Sequence, residues 1–448
     1  MKSGGSRNPI LGGASLRRAF CVLAGVVLAG CASPPAPDDT APSVPGMPGA
    51  KPLPAEGPLT VPPLSRLPDT TPRKLAGSFA QATWRDLPGW DADNLEQVWE
   101  GFLRNCRGLM RPTGGSLTAP ARAAPRDWQP VCAIAADPAR APAAGDTAAV
   151  RQFLQTYLQP WRVLGTDGKP AANTVTGYYE PLVRGSREQG GKYQWPLYAV
   201  PKDLLVIDLG GLYPELAGKR VRGKLEGRRV VPYNTREQIN AGAEKPAVLA
   251  WIDDPVDAFF LQIQGSGRVA LTGGPGAGDT IRLAYADHNG HPYGSVGKWL
   301  ADKGELPLAQ TSMQNIRLWA QRNPGRVNEM LNVNPAMVFF SEEAIADPSA
   351  GPRGAYGVPL TEARSVAVDA SFVPLGTPVF LATTRPASQT AMSRLVFAQD
   401  TGAAIKGAAR TDFYWGHGDA AGEQAGRMKQ RGQMWVLWPK AAGQPKAR

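Results

Sequence analysis

After residue 174 the sequence breaks into short β-prone runs, each stopped within a few residues by Gly, Pro or Asp, and this punctuation constrains the fold more than any other feature. Residues 175–179, 198–200, 228–231, 248–252 and 259–263 come first; 337–340, 365–368, 379–382, 395–398 and 434–438 follow the break at Asn334-Pro335. With 51 Gly and 43 Pro among 448 residues, such a chain favours short strands and turns over long helices. The density of strands after 334 predicts a small closed barrel, and the earlier β-rich piece followed by mixed sequence fits a barrel interrupted by an insertion. The expected class is mainly β with flanking helices (α+β), and no internal repeat is present.

Helical periods are few. Leu95, Val98, Trp99, Phe102, Leu103, Cys106 and Leu109 share one apolar face, with Asp91 or Asp93 placed to cap the start. A second helix is predicted over 147–157, on the stripe Val150, Phe153, Leu154 and Tyr157. Thr311 with Gln314 forms a capping box for a helix running to Gln321, and Pro324 opens a further helical turn through Leu331. Gly265-Ser266-Gly267 lacks the third glycine and following helix of a phosphate loop, so a hairpin or tight turn is expected there.

The first 30 residues are a secretory signal: Arg17 and Arg18, an apolar segment over 19–28, then Leu28-Ala29-Gly30-Cys31. This closing pattern resembles the bacterial lipoprotein signal, in which the cysteine carries lipid; Ala32 and Ser33 at the next positions favour the outer membrane. No other stretch approaches the roughly 18 apolar residues a membrane helix needs. Residues 32–72 hold 13 prolines and no apolar period, which predicts an extended tether. The formal charge of +11 loses Lys2, Arg7, Arg17 and Arg18 with the signal, leaving 45 bases against 38 acids, or +7. A moderately basic exported body suits a polyanionic cell-wall partner, and the absence of a basic cluster interleaved with aromatics speaks against nucleic acid. Cys106 and Cys132 remain as an even pair in an oxidising compartment; a structural disulfide is the natural reading, two separately buried thiols the other. His288 and His291 have no third ligand nearby, so no metal site is expected.

Chemistry concentrates in 395–418. An apolar run delivers Asp400 into a Thr-Gly turn, and 12 residues later Asp412 stands beside Phe413, Tyr414 and Trp415. A carboxyl among rings is poorly solvated, which raises its pKa and suits it to general acid catalysis. Rings also stack on pyranose faces, so a sugar substrate fits. Asp400-Thr401-Gly402 spells the aspartic-protease turn, but such an enzyme needs a second copy of it, and none exists.

Several long motifs in order then carry a resemblance: TGYYEP (176–181), FFLQIQGSGRV (259–269), YADHNGHPYGSVGKWL (285–300), NPAMVFF (334–340), AVDASFVPLGTPVFL (367–381), AQDTGAAIKG (398–407) and DFYWGHG (412–418). Over about 87–440 the chain resembles the membrane-bound lytic murein transglycosylase A family. The resemblance implies a double-psi β-barrel with a second β-rich domain inserted after TGYYEP and a deep groove between them. It divides the chain into a lipoprotein signal (1–30), a Pro-rich tether (31–75), a first part of the barrel domain with N-terminal helices (76–181), an inserted β-rich domain (182–333), a second part of the barrel domain (334–440) and a tail (441–448). It implies a lyase that cuts the β-1,4 bond between N-acetylmuramic acid and N-acetylglucosamine without water, the substrate's C6 hydroxyl closing a 1,6-anhydro ring.

The family's three aspartates fall on Asp369, Asp400 and Asp412, with Asp412 as acid then base, Asp400 orienting it and Asp369 in support. Thr176, Gly177, Tyr178, Tyr179, Gln262, Gln264, Ser266 and Gly267 are expected to line the groove from strand ends, with Lys406 and Trp415 on the same wall. Alternation puts only one of Tyr178 and Tyr179 on each face. One departure stands at Ala403, where the family more often has glycine. Peptidoglycan strands are the expected partner, the membrane a second one through lipid on Cys31 at the periplasmic face of the outer membrane, and other cell-wall enzymes further candidates. No cofactor is implied, and a monomer is the default. The alternative is a non-catalytic peptidoglycan-binding outer-membrane lipoprotein.

Overall fold

The computed structural model describes residues 57–67, 74–111, 121–143, 145–213, 216, 221–242, 246–345, 347–402 and 404–446, so the signal segment, Cys31 and Ala403 lie outside the described residues. The part of the expected tether that is described, 57–67, is not a free spacer: Leu59 and Leu67 are buried in the main core. Two leucines at this spacing give a Pro-rich segment enough apolar surface to adhere.

The N-terminal region contains β1 (Ser78–Gln81), α1 (Val98–Met110), α2 (Pro125–Ala136) and α3 (Thr147–Tyr157). α1 buries Val98, Trp99, Phe102, Cys106 and Leu109 as its period requires. Its expected cap is different: Asp93 instead forms a buried ion pair with Arg364 (2.9 Å) and accepts the Leu395 N–H (2.7 Å), and the helix starts at Val98 without a side-chain cap. A buried carboxylate is held by the strongest donors in reach, and a guanidinium outbids a helix N–H. α2 has no counterpart in the sequence reading because Pro130 interrupts its pattern. It carries Cys132, joined to Cys106 of α1 by a disulfide with Cα atoms 5.7 Å apart. α3 is capped by Asp146, which accepts the Ala149 N–H at 2.9 Å.

β2 (Leu158–Leu164) and β3 (Ala172–Glu180) follow, and the chain then leaves their sheet. Next come β4 (Leu182–Ser186), β5 (Trp195–Tyr198), β6 (Leu205–Ile207), β7 (Val221–Glu226), β8 (Arg229–Pro232), α4 (Arg236–Ala241) and β9 (Val248–Ile252). α5 (Pro255–Gln264), β10 (Ser266–Gly273), β11 (Thr280–His288), α6 (Val296–Asp302), α7 (Met313–Arg322), α8 (Val327–Asn332) and β12 (Val338–Glu343) complete this region. Among the described residues it forms a six-stranded sheet, β12-β11-β10-β4-β9-β5, and a three-stranded one, β6-β7-β8. Val183, Leu197, Ile252, Leu261, Val269 and Leu283 form the core under the larger sheet, while Phe259, Leu300, Ile316, Trp319 and Met330 pack α5 to α8 together.

Two expectations fail here for physical reasons. The run 259–263 is helix, not strand: Asp254 accepts the N–H groups of Val256 (2.8 Å) and Asp257 (2.9 Å), Pro255 occupies the first helical position, and Gly265 at φ 81° ends the helix. Caps and packing override the β-propensity of Phe-Phe-Leu-Gln-Ile. Gly265-Ser266-Gly267 is therefore a helix-to-strand joint and not a hairpin. The cap of α7 is Ser312, accepting the Asn315 N–H at 3.3 Å, one residue beyond the expected Thr311.

The chain returns with β13 (Ser365–Val368), β14 (Pro378–Thr384), β15 (Ala391–Asp400), β16 (Thr411–His417), α9 (Gly418–Arg427) and β17 (Lys429–Pro439). Among the described residues eight strands pair in the order β1-β2-β17-β14-β15-β13-β16-β3, and β3 pairs again with β17. Six strands thus form a closed ring of pairings. β17 makes this possible by its length: 429–433 pair with β3 and 435–439 with β2. Closure removes the edges that an open sheet would expose. The main core is dense in rings, with Phe397, Phe413, Trp435, Trp438 and Trp128 all fully or nearly fully buried.

The two sheets meet at Glu180, the last residue of β3, which has no solvent exposure. Its carboxylate accepts from Arg268 of β10 (2.8 Å) and Arg282 of β11 (2.5 Å), and both guanidinium groups also donate to the Ala350 carbonyl. A charge this deep is tolerable only with such complete pairing. Among the described residues no helix is long and apolar enough to cross a membrane.

Candidate active site

β16 lies between β3, parallel to it, and β13, antiparallel. The register sets Asp412 opposite Thr176 on one side and Ala367 on the other, and Ala367 in turn faces Asp400 of β15. β15 gets Asp400 there through an irregularity: Val366 pairs with Ala398, but Ala367 pairs with Asp400, so Gln399 is an extra residue. A regular ladder would put Gln399 opposite Ala367 and turn Asp400 to the other face. Gln399 is instead fully buried, its Oε1 accepting from Ser365 Oγ at 2.6 Å.

Asp412 is half-buried. Thr176 Oγ1 donates to Asp412 Oδ1 at 2.7 Å, and Arg410 Nη2 donates to Thr176 Oγ1 at 2.9 Å. No hydrogen bond engages Oδ2 among the described residues. Burial pushes the Asp412 carboxyl up to about 6; the Thr176 hydrogen bond and the Arg410 charge oppose this, and the Asp400 charge adds to it. Asp400 is also raised, by burial first, against hydrogen bonds from the Ala355 and Thr401 N–H groups and the Tyr178 hydroxyl. Ala355 N donates to Oδ1 at 2.9 Å and Tyr178 Oη to Oδ2 at 3.1 Å. One carboxyl is thus held by three donors, the other by one.

Strand alternation corrects the expectation that three neighbouring rings surround Asp412. Tyr414 shares its face, packing on Tyr178 at 5.2 Å between ring centres with Leu360, Ala367 and Ile405. Phe413 and Trp415 point the other way; Trp415 packs on Phe413 at 4.9 Å and donates Nε1–H to Met428 Sδ at 3.3 Å. Trp415 is therefore a poor candidate for the wall that holds Asp412.

The same alternation sorts TGYY. Thr176 and Tyr178 face the two aspartates, while Gly177 and Tyr179 face α9. A Cβ on Gly177 would lie 2.7 Å from both the Ala425 Cα and Trp415 Nε1, so only glycine lets α9 sit against β3. Tyr179 donates its N–H to Gln264 Oε1 at 3.1 Å, and its ring borders a cavity of about 350 Å³ with Asp257, Arg317 and Asp419.

The remaining expected residues are more scattered. Gln262 and Gln264 are on helix α5, not at strand ends. Gln262 is buried, accepting from Arg236 (3.0 Å) and the Val338 N–H (3.4 Å). Ser266 and Gly267 begin β10, where a Cβ on Gly267 would collide with the Leu261 side chain; both are buried. Asp369 closes a turn: it accepts from Ser371 N and Oγ (3.0 and 2.7 Å) and from the Gly407 N–H (2.8 Å). Burial pushes Asp369 up, yet these bonds and the Lys406 charge outweigh it and hold the carboxyl below its ordinary value. Lys406 itself is exposed. Arg410 and the Ala355 N–H were not anticipated. Arg410 stands two residues before Asp412, the spacing that shares a strand face, so its signal was present; Ala355 comes from a distant loop and gives none.

The profile described as "MltA specific insert domain" matches residues 174–341, and that described as "3D domain" matches 364–438. Membrane-bound lytic murein transglycosylase A of Escherichia coli (strain K12) is 33% identical over 303 residues, spanning 66% of this chain and 72% of the relative. The crystal structure of MltA from Neisseria gonorrhoeae superposes with a TM-score of 0.67 at 33% identity, covering 88% of this chain and 100% of that one. That of E. coli MltA with bound chitohexaose does so with a TM-score of 0.56 at 29% identity, covering 82% and 96%. With both profiles in sequence order and a shared mainly-β fold with helices, this chain belongs to the membrane-bound lytic murein transglycosylase A family.

Proposed function

We propose that this chain is a lytic transglycosylase of peptidoglycan, cleaving the β-1,4 bond between N-acetylmuramic acid and N-acetylglucosamine with Asp412 as its acid and then its base. The observation that carries this reading is a half-buried carboxyl, raised to about 6, beside a second carboxyl held by three donors. A hydrolase that activates water needs two working carboxylates. Here the C6 hydroxyl of the muramoyl residue replaces water, so one group suffices. Asp412 gives its proton to the glycosidic oxygen as the C1–O bond breaks. The resulting carboxylate takes the proton of the C6 hydroxyl as that oxygen bonds to C1, which restores the acid. Asp400, fixed by Tyr178 and Ala355, raises the proton affinity of Asp412 by its charge. The family fold solved with a bound chitohexaose supports a sugar polymer as ligand.

In this reading the closed six-strand ring is a double-psi β-barrel, residues 182–333 are the inserted domain, and the glycan lies in the groove between them. Thr176, Tyr178 and Gln264 are its polar lining, and Asp369 with Lys406 shapes the loop beyond Asp400. The mature chain is anchored through lipid on Cys31 at the periplasmic face of the outer membrane, consistent with the relatives' membrane-bound name. The test is Asp412→Asn on purified sacculi: release of soluble fragments falls by a factor of about 10³ or more while sedimentation with sacculi persists. Release at the wild-type rate would remove Asp412 from the mechanism.

A further inference from the structure

Thr176 has one hydroxyl hydrogen, and its surroundings decide where that hydrogen points. Thr176 Oγ1 accepts from Arg410 Nη2 at 2.9 Å and lies 2.7 Å from Asp412 Oδ1; among the described residues it has no further partner. A hydroxyl donates once and accepts through its lone pairs. With Arg410 donating to it, the Thr176 hydrogen has a single acceptor in reach, Asp412 Oδ1. Were the Asp412 proton on that oxygen, two donors would converge on Thr176 Oγ1 and the hydroxyl's own hydrogen would be left without an acceptor, which is costly away from water. A charged donor also draws electron density from the oxygen it binds, making the hydroxyl a weaker acceptor and a stronger donor. The other carboxyl oxygen, Oδ2, has no partner among the described residues.

Half-buried Arg410 is held for that contact. Its Nη1 donates to the carbonyls of Thr174 (3.2 Å) in β3 and Thr411 in β16, so one part of the guanidinium bridges the two strands while Nη2 reaches Thr176. A planar fork does this where a single ammonium would not. The turn that delivers Arg410 has its N–H donating to the Gly407 carbonyl at 3.2 Å, and buried Ala409 takes φ 55°, a left-handed backbone that costs a non-glycine residue energy. Among the described residues no other cation donates to Thr176: Lys429 of β17, opposite it in register on the far side, is exposed. The Arg410 charge disfavours protonation of Asp412, while the Asp400 charge favours it. Arg410 thus weakens the acid's hold on its proton and at the same time settles where the proton sits.

We propose that Arg410 is a positioning residue which, acting through Thr176, keeps the Asp412 proton on Oδ2, the oxygen left open for the sugar. Oδ2–H is then the bond that breaks as the glycosidic oxygen is protonated, and Oδ2 takes back the C6 hydroxyl proton. Thr176 donates to Oδ1 throughout, so no hydroxyl has to turn between the two transfers, and the geometry is set before substrate arrives. The use of this proton rests on the transglycosylase reading above; its location rests on the hydrogen bonds alone.

The experiment compares the full chain with Arg410→Met, Arg410→Lys, Thr176→Val and the double variant Arg410→Met with Thr176→Val. Arg410→Leu serves if Arg410→Met does not fold. The first readout is the infrared difference between about pH 4 and pH 8, with Asp412→Asn identifying the Asp412 carbonyl band. In the wild type that carbonyl is Oδ1, and the Thr176 hydrogen bond lowers its stretch. Arg410→Met frees Thr176 to accept, so the proton moves toward Oδ1 and the stretch should rise. The second readout is turnover of peptidoglycan strands at about pH 5, where Asp412 is protonated. Arg410→Met should lower kcat about tenfold with KM unchanged, while the alkaline limb of its profile moves to higher pH, a combination that a loosened fold would not give. Arg410→Lys should recover part of both. On the Thr176→Val background, Arg410→Met should change kcat less than about twofold, because its route is gone. An unshifted stretch in Arg410→Met would overturn the proposal, as would the same tenfold loss on both backgrounds. If the band shifts as expected but Asp412→Asn digests sacculi at the wild-type rate, the proton's location stands and its use in glycan cleavage falls.

Discussion

At the residue scale the proposed chemistry turns on where one proton resides. The Asp412 carboxyl moves from an ordinary 3.8 to about 6, chiefly because burial penalises its charge. As a general acid it must enter the reaction protonated, so kcat/KM on sacculi should fall as pH rises through about 6. The stability consequence has the same sign. Below about pH 4 the carboxyl is protonated folded or unfolded; through the interval up to about 6 only the folded state keeps the proton, and above it the fold holds a costly charge. Asp412→Asn never ionises, so it should gain stability over the wild type as pH rises across that interval, levelling at about 3 kcal/mol in denaturant titrations. An unchanged difference between pH 4 and 8 would mean that the site does not strain this carboxyl. Thr176 tests the same balance from the other side. Its hydroxyl favours the ionised form, so the near-isosteric Thr176→Val should move the alkaline limb of the activity profile upward by roughly half a unit to one unit. A limb that stayed in place would show that the 2.7 Å hydrogen bond does not tune Asp412.

At the element scale, Glu180 is the joint on which the two sheets' relative position depends. Glu180→Gln leaves Arg268 and Arg282 buried beside a neutral carbonyl, and the fold should lose about 3 kcal/mol or more, seen as an earlier denaturation midpoint. A wild-type midpoint would mean that the ion triad contributes nothing at this joint. The sequence was informative where a local signal matched the final packing: 365–368 became β13 with the same bounds, and 147–157 became α3. It misled where two local signals competed. In 259–263 ring and β-branched residues spoke for a strand, while Asp254-Pro255 and Gly265 spoke for a helix between them, and the caps prevailed. Arg364 and Asp93 are 271 residues apart, so no local pattern could have moved Asp93 from a cap to an ion pair.

At the scale of the whole molecule, the motif order was enough to foresee a mainly β chain, but it put the return to the first sheet at 334, whereas β12 (Val338–Glu343) still pairs in the six-stranded sheet and the first sheet is rejoined only at β13. What could not be foreseen was which faces meet. The aspartates share a surface because Gln399 is an extra residue in β15, and an irregular pairing is invisible without the partner strand. In the proposed mechanism the sugar's own C6 hydroxyl, not water, completes the reaction at Asp412. The most direct measurement is mass spectrometry of fragments released from purified sacculi in heavy-oxygen water. Fragments one water lighter than hydrolysis products, with 1,6-anhydro ends and no heavy oxygen, are expected. Reducing ends that carry the heavy isotope would contradict that mechanism.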